Sequence, residues 1–156
     1  MTDLKIVYLA PEELTPYEKN TRRHTPTDIE QIKTSIVRCG FDDPIGIWGD
    51  QNIVVEGHGR LIAAKELRLE KVPCIRLDHM TDAQRREYAI RHNRTQEFSS
   101  WDFEKLEEEI AALMLQGADL HDLKFAVKQI AEEDPEKEFL ENEKKYRCPR
   151  CGHEWE

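Results

Sequence analysis

The feature that most constrains this chain is the stretch "NIVVEGHGRLIAAKEL" at residues 52–67. A β-branched run ends at a carboxylate, passes through Gly-His-Gly-Arg and becomes a run of strong helix formers without a spacer, which predicts a strand handing over directly to a helix. A helix N-terminus exposes unpaired N–H groups and the positive end of its dipole, and glycine lets an anion approach the backbone closely. Gly57 and Gly59 are placed for this. Arg60 can offer a two-pronged donor to phosphate, and His58 can donate to a phosphate oxygen or shuttle a proton. Glu56 can hold a magnesium ion or take a proton from a nucleophile. The plainer alternative is that the glycines only make a tight connection and that Arg60 pairs with a surface acid.

The flanking sequence supplies a scaffold. "LKIVYLA" reads as a first strand ended by Pro11, followed by an extended polar connection that contains "NTRR" at residues 20–23. "TPTDIEQIKTSIVRCGF" reads as a helix, with Thr27 capping through Glu30, Ile29, Ile32 and Ile36 at helical spacing and Gly40 as the stop. "IGIW" and "NIVVE" around "GDQN" suit a hairpin, and "KVPCIRL" supplies another strand after the "LIAAKELRLE" helix. Beyond it, "TDAQRREYAIRHNR" reads as a helix capped by Thr81 or Asp82, and "SSWDFEKLEEEIAALMLQG" as one capped by Ser100 or Asp102 and stopped at Gly117. A weaker helix follows in "LHDLKFAVKQIAEE". This divides the chain into an α/β core over 1–80, a helical extension over 81–131, a charged linker over 132–145 and a tail over 146–156.

A net charge of −9 argues against general nucleic-acid binding by the whole surface, yet "EKNTRR" and "QRREYAIRHNR" leave room for a local basic pocket. No apolar run approaches the roughly 20 residues of a membrane span, and the N-terminus lacks a signal-peptide pattern, so a cytoplasmic protein with reduced cysteines is expected. Cys39 and Cys74 fall on an apolar helix face and in a strand, as buried structural thiols do. "YRCPRCGHEW" has the spacing of a zinc knuckle: Cys148 and Cys151 make a ligand pair, His153 is a candidate third, and a second subunit's cysteines can complete the set. A reduced tail without metal is the alternative.

Taken in order and spacing, "NTRR", the capped helix, "FDDPIGIWGDQNIVVEGHGRLIAAKELRLEKVPCIRL" and "DAQRREYAIRHNRTQEFSSWDFEKLEEEI" resemble the ParB N-terminal family, which shares a fold with sulfiredoxin. The resemblance spans roughly residues 4–125. It is strongest to the phage and mobile-element branch associated with DNA methyltransferases, where an Asn-Arg pair precedes Trp-Asp, here Asn93, Arg94, Trp101 and Asp102. It implies an α+β fold with a small mixed sheet, a helical segment and, in this chain, the zinc-knuckle tail.

The resemblance also implies function. Partition members grip the triphosphate of CTP with magnesium and dimerise around DNA. By position, Gly57, His58, Gly59 and Arg60 occupy the phosphate motif, Arg22 or Arg23 the early basic motif, and Asn93 with Arg94 the late one. Partition proteins read Gly-Glu-Arg-Arg where this chain has Gly-His-Gly-Arg, so a glutamate linked there to hydrolysis is missing from its slot. Glu56 followed by Gly-His instead resembles the Asp-Gly-His-His-Arg of the free serine kinases of the superfamily. The loop has no sulfiredoxin cysteine.

The leading expectation is therefore a module binding a nucleoside triphosphate, CTP or ATP, with Mg2+ in DNA partition or modification. Glu56 and His58 are its catalytic candidates, slow NTP hydrolysis its candidate reaction, and a second copy, DNA or a DNA methyltransferase its candidate partners. A serine-like kinase assisted by Glu12 or Glu13, a nuclease and a non-catalytic adaptor are the alternatives.

Overall fold

The computed structural model describes residues 4–120 and the backbone of two short strands further on. The chain falls into two compact units, Met1–Ser99 and Ser100–Glu156.

The first unit runs β1 (Ile6–Leu9), α1 (Pro26–Cys39), β2 (Ile45–Trp48), β3 (Ile53–Glu56), α2 (His58–Glu66), β4 (Val72–Arg76) and α3 (Asp82–Thr95). The sheet order is β1-β4-β2-β3, with β4 and β2 parallel and the outer pairs antiparallel. This is a mixed α+β architecture, in the element order expected from the sequence.

Ile45, Ile47, Val54, Val72 and Cys74 from the sheet and Leu61 and Ala64 from α2 form the buried core, closed by Leu14. Each buried aliphatic side chain of this size contributes about 1.5–3 kcal/mol. The core thus fixes β3 and α2 relative to each other, and with them the junction at residues 56–60.

Local details differ from expectation. α1 is capped by Thr25, whose hydroxyl accepts from the Asp28 N–H while the Asp28 carboxylate accepts from the Thr25 N–H, so Thr27 and Glu30 do not form the cap. The reason is Pro26, which fits the first helical position because its missing N–H is no loss there; Glu30 pairs with Lys33 instead. The early connection is not wholly extended: Pro11–Glu13 form a 3-10 turn in which Glu13 accepts from the Ala10 N–H. α2 starts at His58, three residues before its apolar run, because Gly57 takes the left-handed conformation (φ 86°) that launches it. Cys74 is buried but Cys39 is exposed, since it closes the last turn of α1 on the outer side.

In the second unit α4 (Phe103–Leu115) is capped by Asp102 rather than Ser100, and its chain turns at Gly117 with φ 88°. The strands β5 (Tyr146–Arg147) and β6 (Glu154–Trp155) pair antiparallel. Cys148, Cys151, His153 and the weaker helix expected after residue 120 lie outside the described residues. Among the described residues no helix is long and apolar enough to cross a membrane.

Candidate functional site

A cleft of about 140 Å3 opens where β3 meets α2. Its floor is Glu56, Gly57, His58, Gly59 and Arg60; Asn20, Arg22 and His24 from the connection form one wall, and His92, Asn93 and Gln96 from α3 form another. Three segments far apart in sequence therefore converge on the junction.

The floor is built by the backbone. Gly57 brings no side chain to cap α2, so the first-turn N–H groups have no side-chain acceptor from the cap position. Gly59 serves packing: a methyl group there would lie 2.8 Å from Ile32 Cδ1 and 3.0 Å from His24 Cε1. Glycine at 59 thus lets α2 approach α1 and brings His24 to the cleft, a reason different from anion contact.

Arg60 lines the cleft but is already engaged. Its guanidinium pairs with Asp43 and donates to the Pro44 carbonyl at 3.2 Å, while Nε is buried without a partner. His58 is half buried, and its Nε2 accepts from the Tyr17 N–H at 3.2 Å. Burial, reinforced by nearby His24, lowers its pKa. The neutral ring then carries its proton on Nδ1, which is the nitrogen left to donate.

Glu56 is only 15% exposed, and its Oε2 accepts from the Tyr88 hydroxyl at 2.8 Å and lies 3.1 Å from His92 Nδ1. Burial and the Glu56 carboxylate together push the Tyr88 hydroxyl far above its usual pKa, which keeps it a donor. Glu56 can fold across β2 because residue 46 is glycine; a Cβ there would sit 2.6 Å from Glu56 Cγ. On the opposite side, Arg22 Nη1 donates to Gln96 Oε1 at 3.3 Å, and Gln96 Nε2 lies 3.1 Å from His92 Nε2.

Of the residues singled out from sequence, Arg22, Glu56, Gly57, His58, Gly59, Arg60 and Asn93 line one cleft. Arg23 lines an adjoining groove of about 430 Å3 together with Arg22, His24 and Asp28. Arg94 does not line the cleft: it pairs with Glu97 and stacks on Phe98 at 4.6 Å. Glu12 and Glu13 also lie outside its lining. His24, Tyr88, His92 and Gln96 were missed. The signal for the α3 group was their spacing, which puts residues 85, 88, 92 and 96 on one helical face.

The chain is 39% identical over 82 residues to the ParB-like nuclease domain-containing protein YnaK of Escherichia coli (strain K12), covering 53% of this chain and 93% of that protein. It belongs to the ParB-like nuclease domain family. No family model matches the sequence. The ParB-like chain is also similar in fold to a C-terminally truncated chromosome-partitioning protein ParB from Caulobacter crescentus, solved with CTP-γ-S, at a TM-score of 0.66 and 19% identity over 87% of this chain and 84% of that one. A Pnob8-like ParB-N domain aligns with a TM-score of 0.50 and 19% identity over 75% of this chain and 51% of its own.

Proposed function

We propose that the cleft binds the phosphates of a nucleoside triphosphate. The observation that carries this reading is the convergence of an α2 N-terminus that lacks a side-chain cap, at Gly57, with Arg22, Asn20 and Asn93 on a cavity of about 140 Å3. That volume is well below the roughly 300–1,000 Å3 of whole small-molecule sites, so it suits a phosphate chain rather than a nucleoside. The adjoining groove of about 430 Å3, which shares Arg22 and His24, offers room for the nucleoside, with Arg23 at its edge.

In this reading the α2 amides and Arg22 hold phosphate oxygens, the buried Nε of Arg60 adds positive potential under them, and His58 donates from Nδ1. Magnesium prefers oxygen donors, and the Glu56 carboxylate and the Asn93 amide oxygen would hold it, with phosphate and water completing six ligands. It would supply charge neutralisation on the phosphates. The fold shared with a partition protein solved with CTP-γ-S supports the same reading. The setting we propose is partition or DNA modification in a phage or mobile element, with DNA, a methyltransferase or a second copy as partner and zinc at Cys148, Cys151 and His153. The family pattern of the sequence supports that setting. A two-metal nuclease needs several clustered carboxylates, and among the described residues Glu56 is the one carboxylate that lines this cleft.

Calorimetric titration with CTP, ATP and GTP in the presence of Mg2+ tests the reading. One nucleotide should bind, and Arg22→Ala should weaken it about 10- to 100-fold, the loss expected of a charge-assisted phosphate contact. Absence of binding by the folded protein overturns the reading.

A further inference from the structure

We infer that the outer edge of β1 is an interface at which a second copy of this chain pairs antiparallel, joining two four-stranded sheets across a dyad. This surface lies apart from the cleft, and its role does not depend on what the cleft binds. The order β1-β4-β2-β3 leaves two edge strands, and the chain treats them differently. The free side of β3 is covered by Thr15, which bridges Ile53, accepts from the Val54 N–H at 2.9 Å and donates to the Asn52 carbonyl at 3.1 Å. Among the described residues nothing pairs along the free side of β1.

The register with β4 shows which backbone groups are free. Tyr8 lies opposite Pro73. Proline has no N–H, so this pair cannot exchange two hydrogen bonds, and the doubly bonded pairs are Val7 with Cys74 and Leu9 with Val72. Ile6 and Tyr8 therefore turn their N–H and C=O groups outward. Their side chains stand on the face away from the core, 54% and 64% exposed, while Val7 and Leu9 pack against the core. Edge strands are usually guarded by charge, proline or a bulge; the Ile-Val-Tyr-Leu of β1 carries none of these.

A second copy fits this edge in one register. The next outward N–H, at Ala10, is already taken by the Glu13 carboxylate at 2.7 Å, which closes the edge at that end. With Val7 on the dyad, Ile6 of each copy faces Tyr8 of the other, and the two pairs exchange four hydrogen bonds. Each pair also sets a β-branched side chain against an aromatic one, a favoured cross-strand combination. No like charges meet: Lys5 falls opposite Leu9, and the antiparallel direction carries it toward the acidic Glu12 and Glu13 of the other copy. At roughly 200 Å2 for a large side chain, the exposed parts of Leu4, Ile6 and Tyr8 offer about 300 Å2 per copy. That is below the roughly 800 Å2 per partner of a standard interface, so the dimer is reversible and half formed at about 0.1–1 mM chain.

Sedimentation equilibrium of the full chain from about 10 μM to about 1 mM, with EDTA and without nucleotide, tests this without help from the cleft or from a bound metal. Wild type should pass from monomer to dimer over that range. Ile6→Lys and Tyr8→Glu should each weaken association about 10-fold or more. The double variant sets lysine opposite glutamate at both pairs and should return to within about threefold of wild type. Both positions are exposed, so all three variants should melt as wild type does. A second measurement needs no variant: at high concentration, amide exchange at Ile6 and Tyr8 should slow, while Val7 and Leu9, already bonded to β4, should not change. A wild type that stays monomeric overturns the inference and leaves the edge to a strand from another protein. Single variants that associate like wild type overturn it by placing the interface elsewhere, and a double variant that stays monomeric overturns it by breaking the register.

Discussion

The two sides of the cleft are built by different means. The α2 side is a backbone structure: a left-handed glycine at 57, a packing glycine at 59 and helix N–H groups above an aliphatic core. The α3 side is a side-chain structure, in which Arg85, Tyr88, His92 and Gln96 reach across to the sheet and the early connection through polar contacts. Residue identity on the first side is set by conformation and space. On the second it is set by which polar group each side chain must meet.

Arg85 tests the second side most severely. It is 6% exposed, with its guanidinium 4.7 Å from the centre of the Tyr17 ring and 4.6 Å from that of Trp48, and donates to Asp82 at 2.5 Å. Trp48 in turn donates to the Met80 carbonyl, so the first turn of α3 is pinned to the hairpin. Arg85→Ala removes two desolvated cation–π contacts, and an ion pair whose Asp82 partner is exposed and adds little, and should cost about 2–4 kcal/mol in urea denaturation. It should also weaken nucleotide binding, because Asn93 is displaced with α3. A loss below about 0.5 kcal/mol would mean that α3 is docked by something other than these polar contacts.

The backbone side is probed by adding a single methyl group. Gly57→Ala keeps every side-chain partner but forces alanine to φ 86° with its Cβ 3.1 Å from Arg60 Nη2, a strain of about 1–2 kcal/mol. Thermal denaturation should show that loss, and first-turn N–H signals in an NMR spectrum should move while Tyr88 and His92 signals do not. If both sides move together, the two are one cooperative structure and the contrast between them fails.

The same contrast explains what was legible in the sequence. Strand, helix, hairpin, helix and strand up to Leu77 could be read because glycine, proline and β-branched runs punctuate them, and the glycines at 57 and 59 flagged the junction directly. The partners of Glu56 could not be read. α3 has little apolar periodicity, and nothing local says that Tyr88 and His92 meet a strand end more than 30 residues earlier. Arg94 follows Asn93 directly, but its helical position turns it to Glu97 and Phe98. The mid-strand glycine at 46 was the overlooked clue, since glycine inside a strand signals close approach of another group, here the Glu56 side chain.

The smallest expected effect concerns His58, the one side chain of the α2 floor whose role depends on protonation. Burial and then His24 lower its pKa below the ordinary 6.5. The folded state therefore holds fewer protons at this site than the unfolded chain as the pH falls past about 6.5, and by linkage stability must drop in that window. The contribution is intact above pH 6.5 and is lost progressively below it. Acidification also strips the acceptor lone pair that receives the Tyr17 N–H, so the junction loosens from the connection that carries Arg22. Denaturation midpoints measured from about pH 7.5 down to 5 should fall, and His58→Gln, which offers Tyr17 an amide oxygen and does not titrate, should flatten that slope. The window lies above the range where carboxylates protonate, so the capping acids Asp28 and Asp102, whose pKa values are lowered by their cap hydrogen bonds and, for Asp102, first by Lys105, do not confound it. An unchanged slope in His58→Gln would move the pH-sensitive point off the α2 floor.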